Sequence, residues 1–334
     1  MSLVQHAQRT AHVSPKPSTC VSQAATSHPV QPYFLTGSAT GYVHMWEHRT
    51  GNLRVTYAPL PYSHHLLGAT GDVPQPSRVS YWSYASSIAF NESGSRFAAI
   101  GKGGWASVWR QDARRAATPH GHVGCCDWGH HCMSKNGSGI AFVGSSSSVI
   151  VVGGAGLQRQ HVAVWDTMVP LSSACVAQLP FTSAKHVNDL CMMPGGLVLV
   201  VALTNGALNA YDLRMMGKQK GAEPLWTADH AHAGGVSCLA ACPQSMLPPG
   251  SQGGLLASGG RDGCVTLWDV SGSKLQALEM HHWNPGRAYF GFAQTNDRVA
   301  AKVKSLAFHP SGLLSCGHNS QVLLTPWTPT HSSV

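Results

Sequence analysis

Charged residues are scarce in this chain. They make up 11% of its 334 residues, against about a quarter in an ordinary soluble domain. Only 14 residues are acidic, which leaves little material for the clustered carboxylates of a catalytic centre. The 22 lysines and arginines are scattered, so the net charge of +8 indicates no nucleic-acid-binding tail. We therefore expect no nucleic acid among its partners.

Long apolar runs and an ordered cysteine pattern are also missing. The longest apolar stretch, residues 197–203, is far too short to span a bilayer, and the first 18 residues lack the apolar core of a secretory signal. The ten cysteines have no regular spacing, and several lie inside apolar strand patterns, where a thiol packs as a small hydrophobe. These features favour a reducing compartment without disulfides. We expect a cytoplasmic protein, with any contact to membranes peripheral and made through its partners.

The short motifs of common enzyme classes are absent. The sequence contains no Walker loop, no HExxH and no GxSxG. The segment GKGGWA (residues 101–106) loosely matches a dinucleotide-binding fingerprint, but it separates two strand patterns and no helix follows it, so the phosphate-cradling geometry is lacking. We expect a protein that is not an enzyme and carries no cofactor.

Glycine-rich turns followed by short apolar runs, each ending in or near an aromatic residue, are abundant instead. Six such segments occur, at residues 37–47, 101–112, 156–167, 203–214, 259–272 and 317–327. A recurring unit of four short strands is typical of a β-propeller. The sequence therefore predicts a binding module, and the question becomes which partner it binds.

A fixed spacing recurs inside these repeats. Asp262 precedes Trp268 by six positions, and the same interval separates Gly103 from Trp109 and Asn205 from Tyr211. The predicted third strands end at residues 46, 109, 165, 211, 268 and 325, the last being Thr325 in place of an aromatic. We expect Trp327, two residues beyond, to lie on the same face of that strand.

The repeats are longer than a minimal blade of about 40 to 45 residues, so most contain insertions. We expect surface loops at residues 59–79, 113–139, 243–254 and 281–301, which concentrate Pro, Gly and His. The predicted fold is all-β, a WD-repeat β-propeller of six to seven four-stranded blades over residues 19–330. Residues 1–18 are predicted to be a disordered N-terminal segment.

The fifth repeat is the most complete. His232, Ser258, Asp262 and Trp268 occupy the positions at which WD repeats place a hydrogen-bonded structural tetrad. Serine, histidine and aspartate also occur together in hydrolase triads, but a triad needs an exposed nucleophile and an oxyanion hole. We interpret the four residues as a network that satisfies polar groups inside a blade.

Two further groups of residues are candidates for binding. Histidines and cysteines crowd one segment, but their spacing fits no standard zinc pattern, so we expect a histidine-rich loop and no metal. This His/Cys segment contains His120, His122, Cys125, Cys126, His130, His131 and Cys132. Separately, Lys102, Trp105, Arg261 and His318 lie in or beside predicted turns between second and third strands. Such turns open on one face of a propeller, where Trp and Arg anchor protein interfaces, although ordinary exposed turns explain these residues equally well.

The repeats as a set resemble the C-terminal WD region of the DmX-like family, which includes the rabconnectin alpha subunits and the large subunit of the yeast RAVE complex. The segments that carry the likeness are PYFLTGSATGYVHMWE, SSIAFNESGSRFAAIGKGGWASVW, SSSSVIVVGGAGLQRQHVAVWDTMVP, YDLR and LLSCG. The resemblance implies a scaffold that promotes assembly of the vacuolar proton-pumping ATPase and so acidifies organelles. Its implied partners are soluble-sector subunits of that ATPase and other RAVE components. The alternative is a generic WD adaptor, such as a substrate receptor of a ubiquitin ligase.

Overall fold

The chain is built almost entirely from short strands. A computed structural model describes residues 24–39, 41–59, 85–112, 115–118, 121–156, 160–181, 186–216, 223–247, 254–282 and 300–326. They divide between two compact units, Met1–Pro180 and Phe181–Val334. The strands of the first unit are β1 Ala25–Ser27, β2 Tyr33–Gly37, β3 Val43–Glu47, β4 Leu53–Tyr57, β5 Ala85–Phe90, β6 Arg96–Gly101, β7 Trp105–Arg110, β8 Arg115–Thr118, β9 Gly121–Gly124, β10 Trp128–His131, β11 Lys135–Phe142, β12 Val149–Ala155, β13 Gln160–Asp166 and β14 Cys175–Pro180. Those of the second are β15 Val187–Met192, β16 Val198–Leu203, β17 Leu208–Asp212, β18 Trp226–Ala228, β19 Val236–Ala241, β20 Leu255–Gly260, β21 Cys264–Asp269, β22 Lys274–Glu279, β23 Val303–His309, β24 Gly312–Gly317 and β25 Val322–Thr325.

These strands form six sheets, three in each unit, which we number as blades 1 to 6. Within each blade the strands are antiparallel. Blades 3, 4 and 5 are simple four-stranded meanders: β11–β14, β15–β18 and β19–β22. Blade 2 contains β5, β6, β7 and β10, blade 6 contains β23–β25 among the described residues, and blade 1 contains β1–β4. The predicted all-β propeller is confirmed, with six blades.

All six blades share one register between their second and third strands. The end of each third strand is paired with the same position of the second strand. The pairs are Phe34–Trp46, Phe97–Trp109, Ile150–Trp165, Leu199–Tyr211, Leu256–Trp268 and Leu313–Thr325. The six third-strand ends expected from the sequence are therefore confirmed, including Thr325, whereas Trp327 lies outside the described residues.

The six-residue spacing has a backbone cause. In five blades the turn between the second and third strands contains a residue with positive φ, which only glycine adopts without cost. The residues are Gly41 (82°), Gly104 (87°), Gly206 (94°), Gly263 (77°) and Ser320 (62°). Because this residue fixes the turn, the aromatic position of the third strand, which is Thr325 in blade 6, follows it by five residues in all five blades.

One predicted loop is wrong. Residues 113–139 contain β8, β9 and β10, and β11 begins before they end. β10 is the fourth strand of blade 2, and the β8–β9 hairpin pairs in parallel with β4 of blade 1, at Thr56–Val123 and Tyr57–Gly124. The hairpin covers the outer edge of blade 1, which would otherwise present unpaired backbone groups. Residues 1–18 and most of the other expected loops lie outside the described residues.

The apolar cores lie between successive blades of the same unit. In the first unit one cluster joins blades 1 and 2 around Phe97 and Trp109, and another joins blades 2 and 3 around Trp128 and Trp165. In the second unit equivalent clusters join blades 4 and 5 and blades 5 and 6. Both faces of an inner blade are therefore buried, which explains why its second strand is almost completely buried, as in β16 and β20.

Candidate functional site

The four tetrad residues of blade 5 come together in one hydrogen-bonded chain. The indole Nε1 of Trp268 donates to Ser258 Oγ at 2.8 Å, and Ser258 Oγ lies 2.7 Å from His232 Nε2. His232 Nδ1 lies 3.1 Å from Asp262 Oδ1 and 3.2 Å from Oδ2. A carboxylate only accepts, so Nδ1 carries the imidazole proton and Nε2 accepts from the serine hydroxyl. The chain links the loop before β19, the second strand, the β20–β21 turn and the third strand.

Asp262 also organises the backbone around it. Its Oδ2 accepts from the N–H of Ala233 at 2.9 Å, and its Oδ1 accepts from the N–H of Cys264 at 3.1 Å. Burial alone would raise the pKa of Asp262, but the hydrogen bonds from His232 and from these two N–H groups outweigh it and lower the pKa. Asp262 is therefore an ionised acceptor that holds the β20–β21 turn against the loop before β19.

The burial of Ser258 determines what this arrangement can do chemically. Ser258 has no exposed surface, and its hydroxyl oxygen is engaged by both Trp268 and His232. A nucleophilic serine must reach its substrate and have an oxyanion hole beside it. The geometry favours a network that satisfies buried polar groups.

Blade 6 contains a reduced version of the same network that the sequence did not reveal. His281 Nε2 lies 2.9 Å from Ser315 Oγ, and both side chains are buried. Gly317 packs closely against His281 and Asn319: a Cβ added to it would lie 2.3 Å from His281 Nδ1 and 2.4 Å from Asn319 Oδ1. Gly260 packs in the same way against His232 and Asp262 in blade 5. Asn319 thus takes the place of aspartate, and the position of tryptophan is Thr325. Burial lowers the pKa of His281.

The four predicted interaction residues lie in or beside turns between second and third strands. Lys102 is exposed in the β6–β7 turn of the first unit. Trp105, the first residue of β7, is half-buried, with its ring centroid 6.4 Å from that of His131. In the second unit Arg261 and His318 are exposed at matching positions of blades 5 and 6, directly after Gly260 and Gly317. The turns themselves are fixed, since the N–H groups of Arg261 and His318 donate to Gly235 O and Lys302 O. Their role in binding stays a prediction.

The His/Cys segment does not converge on one point. His130 packs its ring against Trp165 with centroids 4.9 Å apart, whereas His131 Nε2 lies 2.9 Å from Gly103 O. Cys125 is buried, and Cys132 packs against the core between blades 2 and 3. His120 lies outside the described residues. Across the part of the chain that the structure describes, no group of three His, Cys, Asp or Glu residues is placed to hold a metal ion.

Polar side chains on the first strands join neighbouring blades, and sequence reasoning missed them. In the first unit Ser86 Oγ donates to Gly137 O, and Ser87 Oγ accepts from the N–H of Ile140 at 3.3 Å. In the second unit Asn188 Nδ2 donates to Val236 O at 2.5 Å, and Asp189 Oδ2 accepts from the N–H of Leu239 at 2.8 Å. We call these the interblade bonds.

The pattern recurs once more between blades 5 and 6. Ser237 Oγ donates to Val303 O at 2.6 Å. Each of these side chains is the second or third residue of its first strand, and its partner is a backbone group of the next blade. One or two polar residues directly after the first residue of β5, β15 and β19 are the sequence signal that marks them.

Comparison with known families agrees with this geometry. A family model described as "WD domain, G-beta repeat" matches residues 223–269, a segment that contains β18 to β21 and all four tetrad residues of blade 5. Fold and match together define a WD-repeat β-propeller, an architecture suited to protein interaction.

Among curated proteins, the chain is similar to DmX-like protein 1. The mouse protein (Mus musculus) is 24% identical over 255 residues, which is 75% of this chain and 7% of that protein. The human protein (Homo sapiens) is 27% identical over 155 residues, 45% of this chain and 4% of that protein. The chain therefore spans less than a tenth of the length of these curated relatives.

Among solved structures, the chain is similar to the computationally designed Ika8 protein. The TM-score is 0.54 at 17% sequence identity, over 90% of this chain and 69% of that one. At this identity the likeness concerns the fold alone. Separately, the described residues contain no helix of the length and apolar character needed to cross a membrane.

Proposed function

We propose that this protein is a non-catalytic interaction scaffold of the DmX-like type that promotes assembly of the vacuolar proton-pumping ATPase and thereby organelle acidification. The observation that carries the proposal is the similarity to DmX-like protein 1 over three quarters of this chain, together with a WD-repeat fold of six blades. The buried serine of the tetrad supports the non-catalytic part.

The proposed contact residues lie at turns between second and third strands, Lys102 and Trp105 in the first unit and Arg261 and His318 in the second. Aromatic and arginine side chains contribute most of the binding energy at protein interfaces. Three of these residues are exposed on turns whose backbone is hydrogen-bonded to the rest of the blade, so they reach a partner with little loss of conformational entropy. The expected partners are soluble-sector subunits of the ATPase and other RAVE components.

The experiment begins with the purified chain as bait in a cell lysate, with retained proteins identified by mass spectrometry. Its affinity for the purified soluble sector is then measured by biolayer interferometry. Reversing two charges, Lys102→Glu with Arg261→Glu, should weaken binding at least about tenfold. The matched control is Arg49→Glu with Lys274→Glu, which makes the same change of charge at exposed positions outside these turns.

Two outcomes contradict the proposal. Retention of ubiquitin-ligase core subunits without the ATPase favours the generic adaptor. Equal loss of affinity in the turn variant and the control means that the turns are not the contact surface.

A further inference from the structure

A polar cavity of about 800 Å³ opens in the first unit between blades 1 and 2. It lies where the second strands begin and the third strands end, at the opposite end of β6 and β7 from the turn that contains Lys102. Its lining includes Tyr33 from β2, Gln111 after β7, and three arginines. No role has been assigned to it above.

The lining itself carries more positive than negative charge, although two of its arginines pair with carboxylates that are not part of the lining, Glu47 and Asp127. Arg54, Arg96 and Arg110 line the cavity together with a single carboxylate, Asp112. Three positive charges against one negative give +2 for the lining. Such a concentration is unusual in a chain with so few charged residues, and a concave surface focuses its potential on whatever enters.

Two of the arginines are available to a ligand. Arg54 pairs with Glu47 at 2.8 Å, and Arg110 pairs with Asp127 at 3.3 Å and with Asp112 at 3.7 Å. Both arginine side chains are more than half exposed, at 52% and 53%. Ion pairs at this exposure contribute little stability, so both guanidinium groups can turn towards an incoming anion at small cost.

Arg96 differs because it is buried and none of the ion pairs among the described residues includes it. Its Nη1 donates to Ser147 O at 2.5 Å and to Thr167 Oγ1 at 3.3 Å, while its buried Nε has no hydrogen-bond acceptor. Burial lowers the pKa of this guanidinium. Asp127 and Asp166 offset part of that effect from a distance, since neither pairs directly with Arg96. An anion in the adjoining cavity would add further negative charge.

We propose that this cavity, which we call the arginine cavity, binds an acidic peptide segment of a protein partner. Arg54 and Arg110 contact its carboxylates, and Arg96 adds positive potential from behind them. The volume of about 800 Å³ favours a peptide over a small inorganic anion, and Tyr33 adds a hydroxyl to the lining for peptide groups. The inference rests on the proposed function, because it assumes that the propeller is a protein-binding module.

The test uses the full chain and a fluorescein-labelled hexaglutamate peptide, with binding followed by fluorescence anisotropy. Hexaglutamine is the uncharged control. We expect Arg54→Gln and Arg110→Gln each to weaken hexaglutamate binding about threefold, and the two together about tenfold. Arg214→Gln is the matched variant, since Arg214 is exposed and paired with Asp212 but lies in the second unit. It should leave the affinity unchanged.

The proposal is overturned if hexaglutamine binds as well as hexaglutamate, or if Arg214→Gln lowers the affinity as much as the cavity variants do. The latter result would mean that the net charge of +8 attracts the peptide without a site. The assay contains no ATPase subunit, so its outcome is independent of the partner assigned under the proposed function. Melting curves of the variants establish that they remain folded.

Discussion

A buried carboxylate between blades 4 and 5 makes the stability of the second unit depend on pH. Asp189 accepts from the N–H of Leu239 at 2.8 Å through Oδ2 and from the N–H of Leu190 at 2.9 Å through Oδ1. Burial raises its pKa from 3.8 to about 7, and the two N–H groups offset only part of that rise. The nearest titratable groups are the thiols of Cys191 and Cys238, whose own pKa values burial also raises.

The sign and size of the effect follow from linkage. Well below pH 3.8 the carboxyl is protonated in both the folded and the unfolded state, so its ionisation does not affect the free energy of unfolding. Between pH 4 and 7 the unfolded chain ionises while the folded chain does not, so the free energy of unfolding falls by ~1.4 kcal/mol per pH unit. The difference between a pKa of 3.8 in the unfolded chain and about 7 in the folded chain lowers the free energy of unfolding by a total of ~4 kcal/mol by neutral pH.

The substitution Asp189→Asn removes the ionisable carboxyl group and keeps the shape of the side chain. Asparagine has one acceptor oxygen, so one N–H loses its partner, at a cost of about 1–2 kcal/mol. We expect the variant to be less stable than the parent chain at pH 4.5 and more stable at pH 8. Urea unfolding curves, followed by tryptophan fluorescence at several pH values, give the difference directly, and other titrating groups cancel in the comparison.

The control is Asp269→Asn. The side chain of Asp269 accepts from Ser271 and Ser273, and although burial acts to raise its pKa, these hydrogen bonds lower it. Its contribution is present above pH 4 and is lost as the pH falls, which is the opposite trend. If the stability difference between the parent chain and Asp189→Asn is the same at pH 4.5 and pH 8, the reasoning about Asp189 is refuted.

Three further changes test the tetrad and the turns. Ser258→Ala should lower the free energy of unfolding by about 2–3 kcal/mol, because Trp268 Nε1 and His232 Nε2 both lose their buried partner; a loss below about 0.5 kcal/mol in urea melts would contradict a structural tetrad. Gly263→Ala should lower the melting temperature more than Gly195→Ala does. Both glycines have positive φ, but only a Cβ on Gly263 would lie 2.3 Å from His281 O, so equal losses of melting temperature would argue against that contact. Ser320→Gly should raise stability by up to about 1 kcal/mol by relieving a φ of 62°, and a lower melting temperature would count against strain at this turn.

The blades were predictable from sequence because backbone conformation leaves a mark on the residues. A positive φ selects glycine at Gly104, Gly206 and Gly263, and the aromatic residue near the end of the third strand follows five positions later. The tetrad of blade 5 was predicted from the positions that WD repeats give these four residues, and the structure joins them in one hydrogen-bonded chain.

The failures have equally local causes. The strands β9 and β10 read GHVG and WGHH, which contain little of the β-branched and aromatic pattern that marks a strand, so composition suggested a loop. The His281–Ser315 pair escaped notice because an insertion separates the two residues and Thr325 has replaced the aromatic. The arginine cavity is assembled from five strands and turns, and no linear spacing joins Arg54 to Arg96.

The interblade bonds have a consequence for how this sequence diverges. Their partners, such as Gly137 O, Val236 O and Val303 O, are backbone groups, which every residue type supplies. The side chains of the blade that supplies these backbone groups can therefore change without removing the bond, and each repeat can diverge in sequence separately. The family model matches residues 223–269, whereas the register between second and third strands is the same in all six blades. The backbone pairing of this chain therefore repeats more regularly than its side chains do.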